Sequence, residues 1–377
     1  MPVLAKSLKI AVGVLVAVAA AVVVAGRIDA SSRSAAAVDP APPRPPALPL
    51  LGPIQSVDSN DVGDPFILPV PAGVQPPTDV PYQGPGPDAY ASGPWSKATA
   101  ESAVSHGWYV LFGTTDWQGN VPTAISTDGV HWTQAPDSLP VLPKWAAPSI
   151  TMTWAPAAQR TSSGWVLYYS TEEQPSGLEC IGRAISSSPA GPYRDQTSSP
   201  MLCQRNLGGS IDPSVVRASD GSTYLVWKTN GNAVHVPTSI WSQQLSSDGL
   251  SLRGEPHRLL GDDAPWELGN VEAPAMVAAP AGGYWLFYAG GVWSRPDGYA
   301  TGLAYCSTLT GPCQETSTKP FLATTANDIS PGGLDTFTDL HGRLWAAFTG
   351  LVPVPSTRHP GHVYYNRVLD VAPFLAH

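Results

Sequence analysis

The stretch Gly107-Trp-Tyr-Val-Leu-Phe112 is a short apolar strand that starts at a glycine turn, and related stretches occur four more times along the chain. The later copies are Gly164-Trp-Val-Leu-Tyr-Tyr169, Ser222-Thr-Tyr-Leu-Val-Trp227, Gly283-Tyr-Trp-Leu-Phe-Tyr288 and Arg343-Leu-Trp-Ala-Ala-Phe348. Successive copies begin 57, 58, 61 and 60 residues apart. A fixed period indicates stacked supersecondary units that bury their apolar faces against one another.

Each of the first four copies is followed by a second short strand and a turn. Ala124-Ile-Ser-Thr-Asp-Gly-Val-His-Trp132 follows the first copy, and Gly302-Leu-Ala-Tyr-Cys-Ser-Thr-Leu-Thr-Gly-Pro312 follows the fourth. Strands alternate with turns and almost no helical period lies between them, which is typical of propeller blades. The sequence therefore predicts an all-β fold, a five-bladed β-propeller with four antiparallel strands per blade, over roughly residues 60–370.

The composition agrees with many short strands joined by tight turns. Glycine and proline occur 36 and 41 times, and only 13% of the 377 residues are charged. A net charge of −9 repels a phosphate backbone, and the chain has no basic cluster, which argues against nucleic acid as a partner. One domain accounts for all five repeats, and we expect a monomer.

The amino-terminal residues do not belong to the repeats. Lys6 and Lys9 precede sixteen uncharged residues, 10–25, and this order is typical of an export signal. Residues 1–30 are predicted to be a signal peptide or an N-terminal signal anchor. Both stay open, because the apolar run is slightly long for a cleaved signal and slightly short for a membrane span. Residues 31–53 are predicted to be a Pro/Ala-rich linker and 54–377 the propeller. We expect a secreted protein or one anchored to the membrane outside the cytoplasm.

The four cysteines are consistent with an oxidising compartment. Cys180 and Cys203 flank the outer part of the second repeat, whereas Cys306 and Cys313 lie seven residues apart around a Gly-Pro turn. Three pairings are open, and we favour 180–203 together with 306–313. No Cys-x-x-Cys or His-rich spacing occurs, so the sequence does not indicate a metal site.

Three carboxylates precede aromatic strands at the places where the innermost strands of blades are expected. They are Asp64 in Gly63-Asp-Pro, Asp212 in Ile211-Asp-Pro and Glu272 in Val271-Glu-Ala-Pro, and we expect them at matching points around one axis. Crowded carboxylates acquire divergent pKa values, so one remains an ionised base while another stays a protonated acid. Glycosidic bond cleavage requires such a pair. Individually, Asp-Pro is a common turn starter, and Glu272 also fits a salt-bridged rim residue.

At these residues the chain resembles glycoside hydrolase family 43, five-bladed propellers that act on arabinan, xylan and related pentosides. The likeness covers about residues 60–371, and its most specific parts are Ile211-Asp-Pro-Ser, Asp220-Gly-Ser-Thr-Tyr-Leu-Val-Trp227, Val271-Glu-Ala-Pro and Trp154-Ala155-Pro156. The resemblance implies that Asp64 is the general base, that Glu272 is the general acid, and that Asp212 raises the pKa of the acid and orients it. It also implies inversion at the anomeric carbon and no required cofactor.

Three departures from the family pattern lie near these residues. The usual Glu-Gly-Pro is Glu272-Ala273-Pro274, and the added methyl is tolerated if φ is negative there. Many members have a Pro-Gly-His segment whose histidine is associated with a bound calcium. Gly333 replaces that histidine, which argues against a structural calcium at this position. Ala157 replaces an acidic residue that often follows Trp-Ala-Pro.

Trp154, Trp293 and Arg295 are candidates for substrate binding, because sugar sites favour aromatic platforms and groups that bind hydroxyls. Trp95, Trp117 and Trp266 are further candidate sugar platforms. Each tryptophan also fits core packing, and Arg295 also fits a solvated loop. Lys228 ends the third aromatic strand, and a place in the channel and a place on the rim are both open for it. The Pro/Gly-rich insertion 71–106 is expected to overhang the channel, where it would decide between internal cleavage and trimming of chain ends.

The expected function is therefore an exported glycoside hydrolase that cleaves pentosidic linkages of an oligo- or polysaccharide. Arabinan and arabinofuranosides are preferred, and xylosides are the alternative. A propeller that binds carbohydrate without cleaving it is the second hypothesis, and the retention of all three carboxylates argues against it. Fructan-cleaving and WD-repeat propellers are disfavoured, since no Trp-x-Asn-Asp-Pro motif precedes Asp64 and no blade ends in Trp-Asp.

Overall fold

The computed structural model describes residues 47–58, 61–77, 95–116, 119–148, 152–355 and 363–375. Within these residues, nineteen strands form five antiparallel sheets. The innermost strands of successive sheets contact one another in a closed cycle, so the five sheets surround one channel. The predicted five-bladed β-propeller is confirmed.

The strands follow the chain from blade to blade, except for the first, β1 (Gln55–Asp58). Blade one contains β2 (Phe66–Val70), β3 (Trp108–Phe112), β4 (Thr123–Ser126) and β5 (Thr133–Ala135), with helix α1 (Lys97–His106) before β3. Blade two contains β6 (Thr153–Thr161), β7 (Gly164–Glu173) and β8 (Leu178–Ser186). Blade three contains β9 (Ser210–Arg217), β10 (Thr223–Thr229), β11 (Ser239–Leu245) and β12 (Leu252–Gly261). Blade four contains β13 (Val271–Ala278), β14 (Tyr284–Gly291), β15 (Tyr299–Cys306) and β16 (Cys313–Glu315). Blade five contains β17 (Ile329–Thr338), β18 (Leu344–Pro355) and β19 (Val363–Pro373).

Blade two differs from the predicted four strands. After β8, the described chain pairs with the sheet only through isolated bridges, such as the one between Ile185 and Arg194. Pro189 and Pro192 precede that bridge, and proline cannot donate to a ladder, so a regular fourth strand does not form. The prediction of four strands therefore holds for four blades, and blade two has three.

The fifth blade is completed by the amino-terminal strand. β1 pairs antiparallel with β19, with Gln55 opposite Val371 and Ser56 opposite Asp370. Pairing one end of the chain with the other closes the ring and covers the outer edge of β19, which would otherwise present unpaired backbone groups. Hydrogen bonds from Gly52 and Leu375 continue this contact at the start of the described chain.

The described parts of the insertion 71–106, residues 71–77 and 95–106, lie elsewhere than expected. The insertion leaves β2 at Val70 and enters β3 at Trp108, and these two residues pair at the end of blade one that is remote from Asp64. Helix α1 packs Ala103 into the core there. The expected overhang is therefore wrong for residues 71–77 and 95–106, and residues 78–94 lie outside the described residues. The strand connection explains this, because an inner strand that starts at the channel mouth must end at the opposite face.

Aromatic side chains of the second strands fill the spaces between blades. Trp108, Phe112, Trp227, Phe287 and Phe348 are fully buried. Each blade buries the apolar residues of its second strand against its neighbours. Because every repeat supplies this same packing element, the period is visible in the sequence.

Both favoured disulfides are confirmed. Cys180 is bonded to Cys203, and Cys306 to Cys313. No helix in the described residues is long and apolar enough to cross a membrane. The predicted signal or anchor at 1–30 and linker residues 31–46 lie outside the described residues.

Candidate active site

The inner strand of each blade begins with an unusual backbone conformation. In four blades a residue with positive φ is followed by proline, at Asp64, Ala155, Asp212 and Ala273, with φ of 47°, 45°, 55° and 46°. In blade five, Ser330 with φ of 53° precedes Pro331, and Gly333 with φ of 62° takes the place in the channel lining that the other four residues hold. Non-glycine residues rarely adopt positive φ, and such residues cluster at functional sites. The ladder is bulged at these points in blades two to five, which turns side chains toward the channel.

The three carboxylates do not occupy strictly matching points. Asp64 and Asp212 hold the left-handed position, whereas Glu272 precedes it by one residue and Ala273 holds it. The counterpart of Glu272 in blade two is Trp154, which precedes Ala155. The condition of a negative φ at Ala273 is not met, because a left-handed residue there reproduces the turn of the other blades.

Hydrogen bonds between neighbouring blades hold the inner-strand starts of blades two, three and four. The Ala155 N–H donates to Thr114 Oγ1 at 3.0 Å, the Asp212 N–H donates to Ser170 Oγ at 3.0 Å, and the Ala273 N–H donates to Asp212 Oδ2 at 2.8 Å. A carboxylate that accepts from the next blade is fixed by the ring itself. Contacts between blades therefore position these strand starts.

Asp64 lies at the channel mouth between blades one and five. Burial raises the pKa of its carboxyl, and the nearby charge of Glu272 raises it further. A hydrogen bond from Thr114 Oγ1 to Oδ2 and the positive charge of Arg367 oppose this rise. Asp64 is thus a carboxyl of raised basicity, and Thr114 and Arg367 favour its ionised form.

Asp212 lies across the channel in blade three. Burial raises the pKa of its carboxyl to about 7, with the charge of Lys228 lowering it and the charges of Glu272 and Asp64 raising it. The N–H of Ala273 stabilises the ionised form but does not offset burial. Near neutral pH, Asp212 therefore holds a proton more readily than Glu272, whose pKa is lowered.

Glu272 is paired with a buried lysine. Lys228 is fully buried, and its Nζ donates to Glu272 Oε2 at 3.0 Å, to Asn270 Oδ1 at 2.9 Å and to Asn232 Oδ1 at 3.0 Å. All three ammonium protons thus have acceptors. Although burial opposes it, the charge of Lys228, together with hydrogen bonds from Asn270 and Tyr299, lowers the pKa of Glu272.

Tyr299 lies against the same carboxylate from blade four. Burial and the charge of Glu272 raise the pKa of its phenol, so the phenol stays protonated and donates to Glu272. The ring occupies the space beside Gly332, where a Cβ would lie 2.2 Å from Tyr299 Cε1. Glycine at 332 is therefore required for Tyr299 to reach the Glu272 carboxylate.

These groups form one electrostatic unit. Asp64, Asp212 and Glu272 each affect the titration of another, and Lys228 lowers the pKa of all three. Interacting sites titrate as a set, so a proton on Asp212 is available to its neighbours. In the substrate-free site the proton prefers Asp212 to Glu272, which is the reverse of the order that an acid at 272 needs during the reaction.

The three predicted substrate-binding residues lie at different distances from this unit. Trp154 is half-buried in the inner strand of blade two, next to Ala155 of the channel lining. Trp293 is 58% exposed in the loop between β14 and β15, and Arg295 is exposed in the same loop. Both loop residues are on the carboxylate side of blade four, because that loop follows the end of β14 that pairs with Glu272.

The remaining tryptophans considered as sugar platforms have structural roles where they are described. Trp95 packs edge-on against Trp108, and Trp266 packs against Tyr288. Trp117 lies outside the described residues.

The channel does not offer the ligand set of a histidine-dependent calcium site. Gly333 supplies no imidazole, and its Cα region is close to Asp64, since a Cβ would lie 3.4 Å from Oδ1. Within the described part of the chain, one group of three candidate ligands is closely spaced, Glu173 with Cys180 and Cys203. Those cysteines are bonded to each other, so their sulfurs are not thiolate ligands.

Sequence reasoning left four residues of the site without a role. Lys228 is in the channel rather than on the rim, and a charged residue directly after the apolar run Tyr224-Leu-Val-Trp227 was the available signal. Thr114 and Arg367 carry no local signal, because their partners are far away in sequence. Asp335 lines the channel, its Oδ2 is buried without a hydrogen-bond partner in the described structure, and burial raises its pKa to about 7.

Comparisons with known proteins agree with this architecture. The model of the family described as "Glycosyl hydrolases family 43" matches residues 99–374. No curated protein matches the chain. A thermostable family-43 glycoside hydrolase has a similar structure, with a TM-score of 0.62 and 20% identity over 84% of this chain and 90% of the other.

Two enzymes from Bacteroides thetaiotaomicron VPI-5482 have similar folds. The endo-arabinase has a TM-score of 0.59 and 19% identity, covering 85% of this chain and 97% of its own. The endo-1,4-beta-xylanase has a TM-score of 0.57 and 20% identity, covering 85% and 100%. At this level of identity the structures share the fold with this chain.

Proposed function

The chain belongs to glycosyl hydrolase family 43, and from that premise we propose that it hydrolyses pentosidic linkages with inversion at the anomeric carbon. Arabinan and arabinofuranosides are the preferred substrates, and xylosides are the second choice. The observation that carries the proposal is the convergence of Asp64, Asp212 and Glu272 on one channel mouth, coupled to each other and to a buried lysine.

Asp64 acts as the general base. Its carboxylate takes a proton from water while the water oxygen forms a bond to the anomeric carbon. The hydrogen bond from Thr114 fixes the carboxylate, and the positive charge of Arg367 favours its ionised form. A base with a raised pKa accepts the proton more readily than an ordinary carboxylate does.

Glu272 acts as the general acid on the opposite side of the bond. As the bond between the anomeric carbon and the leaving oxygen breaks, the oxygen receives the Glu272 proton and Glu272 becomes ionised. Lys228 and Tyr299 stabilise the carboxylate that forms, so the same contacts that lower the pKa of Glu272 strengthen it as a donor.

Asp212 supplies the proton that Glu272 needs. Its carboxyl titrates near neutrality and belongs to the same coupled set. A sugar beside Glu272 displaces water and adds no positive charge, which favours the protonated acid. We assign Asp212 to proton storage and to orientation of the acid through its bond to Ala273. This cycle uses side chains alone and requires no cofactor.

The proposed setting is extracytoplasmic, with the protein acting as a monomer that is secreted or held by its amino terminus. The apolar run 10–25 and two disulfides support this proposal.

The proposal is tested with the full chain and its Glu272→Gln variant on arabinans, xylans and aryl pentofuranosides. Proton NMR identifies the anomer that forms first. Turnover by the wild-type chain with an inverted product, and its loss on a natural polymer in the variant, is the expected result. Glycan binding without turnover in both proteins would instead support the non-catalytic carbohydrate-binding propeller.

A further inference from the structure

Strands β18 and β19 extend past the rest of blade five as a two-stranded ribbon. The inner strand β17 stops pairing with β18 at Leu351, opposite Ile329, and the pairs beyond it join only β18 to β19. The described ribbon consists of residues 352–355 and 363–366. Because inner strands start at the carboxylate side, the ribbon projects from that side of the propeller.

The ribbon exposes apolar side chains that no strand covers. Val352, Val354, Val363, Tyr364 and Tyr365 are 42%, 37%, 53%, 54% and 39% exposed. An isolated two-stranded ribbon is marginally stable, and contiguous exposed apolar surface usually marks a binding site. The ribbon residues 352–355 and 363–366 include no charged side chain, which suits a neutral ligand.

The two faces of the ribbon can be assigned from the register. Tyr365 is opposite Pro353 and Arg367 is opposite Leu351, so these four side chains share one face. Tyr364 is opposite Val354 and points to the other face. Tyr364 and Tyr365 thus lie on opposite faces of the ribbon.

Arg367 shows that the face of Tyr365 is turned to the active site. Its guanidinium packs on Gly63, the residue before Asp64, where no Cβ would fit. The Nε donates to Asp61 Oδ1 at 2.9 Å, and the guanidinium lies 5.9 Å from the ring centroid of Trp293. Arg367 therefore joins the ribbon, the base and the exposed tryptophan of blade four.

We propose that Tyr365 and Trp293 form an aromatic wall that binds the sugar residues of a neutral polysaccharide beyond the cleaved bond. Tyr365 is two residues from Arg367 along an extended strand, which places it about 7 Å further from Asp64. Aromatic faces held at such spacing stack on successive sugar rings. This inference rests on the proposed function and deepens it, since it makes the polymer, rather than a single terminal sugar, the substrate that this chain is built to hold.

The test compares Tyr365→Ala with Tyr364→Ala in the full chain. The two variants remove the same side chain from adjacent, exposed positions on opposite faces. We expect Tyr365→Ala to lower kcat/KM on linear arabinan about tenfold, the effect of losing one stacking contact. On an aryl arabinofuranoside the same variant keeps its kcat/KM, because that substrate does not reach the wall. Tyr364→Ala keeps both values.

Binding to arabinan in the Glu272→Gln background separates this proposal from the proposed function. If no substrate is turned over, weaker polymer binding on adding Tyr365→Ala, but not Tyr364→Ala, still supports the wall. Equal effects of the two tyrosines, or unchanged polymer kinetics and binding in Tyr365→Ala, overturn it. The ribbon could instead hold two copies of the chain together, and sedimentation of each protein at assay concentration detects such a dimer. A dimer that both substitutions dissociate also overturns the wall.

Discussion

Replacing Lys228 by methionine tests the electrostatic design of the site. The change removes a fully buried ammonium and keeps most of the side-chain volume. At the 3.0 Å separation from Glu272, the Coulomb attraction is about 5.5 kcal/mol in an effective dielectric of 20. Burial of the two charges offsets part of that attraction, but removing one partner leaves the other charge unpaired. Such losses lower the free energy of unfolding by about 3–5 kcal/mol.

The pH dependence of this loss has a defined sign. In the native chain the pKa of Glu272 is lowered, so its pair with Lys228 stabilises the fold above the unfolded pKa and is lost as the pH falls through the folded pKa. In Lys228→Met burial acts unopposed by that charge and raises the pKa of Glu272. The variant should therefore lose most stability at pH 8 and least at pH 4, as urea unfolding at the two pH values will show.

Activity provides the second readout. In the proposed mechanism Glu272 donates a proton, so the alkaline limb of kcat/KM should move to higher pH in Lys228→Met. Lys319→Met makes the same change at an exposed position and should alter neither property. The double variant Lys228→Met/Glu272→Gln removes both charges and should recover most of the lost stability. An unmoved alkaline limb, with equal stability loss at pH 4 and pH 8, would refute the reasoning.

Three further predictions concern other parts of the molecule. Thr114→Val removes a hydrogen bond that lowers the pKa of Asp64, so the acid limb of kcat/KM should move to higher pH; an unchanged limb would contradict the role of that hydroxyl. Replacing Cys180 and Cys203 by serine opens a loop with a sequence separation of 23 and should lower the unfolding free energy by about 3 kcal/mol in denaturant titrations. A chain of residues 60–377 lacks β1 and should have a free energy of unfolding about 2–4 kcal/mol lower than the full chain, because three paired residues at the edge of blade five are lost. Equal thermal stability of the two chains would mean that ring closure does not depend on β1.

Local chemistry explains why some features could be predicted from the sequence. Each blade repeats a glycine turn and an apolar strand, so the five copies show the ring before any contact is known. Asp64-Pro65 and Asp212-Pro213 mark strand starts because aspartate tolerates the left-handed backbone that precedes proline there. The disulfide pairing could be predicted for a similar reason, since each bond joins neighbouring parts of one blade.

Other features depend on contacts between residues that are distant along the chain. The pairing of β1 with β19 joins residues over 300 positions apart, and no local pattern announces it. The insertion 71–106 was expected above the channel, but strand direction places its described parts on the opposite side. The ribbon formed by β18 and β19 projects on the carboxylate side instead, and its sequence contains no charged residue that would have indicated this position.

The sequence by itself determined the number of blades, the inner strands and the three acidic residues, because period, turn chemistry and alternation are properties of short segments. Only the tertiary structure decided how those acids behave. The burial of Lys228 against Glu272, the bond from Ala273 to Asp212 and the approach of Arg367 to Asp64 each join different blades. A pKa depends on the distance between charges and on their burial, and both quantities exist only once the ring has closed.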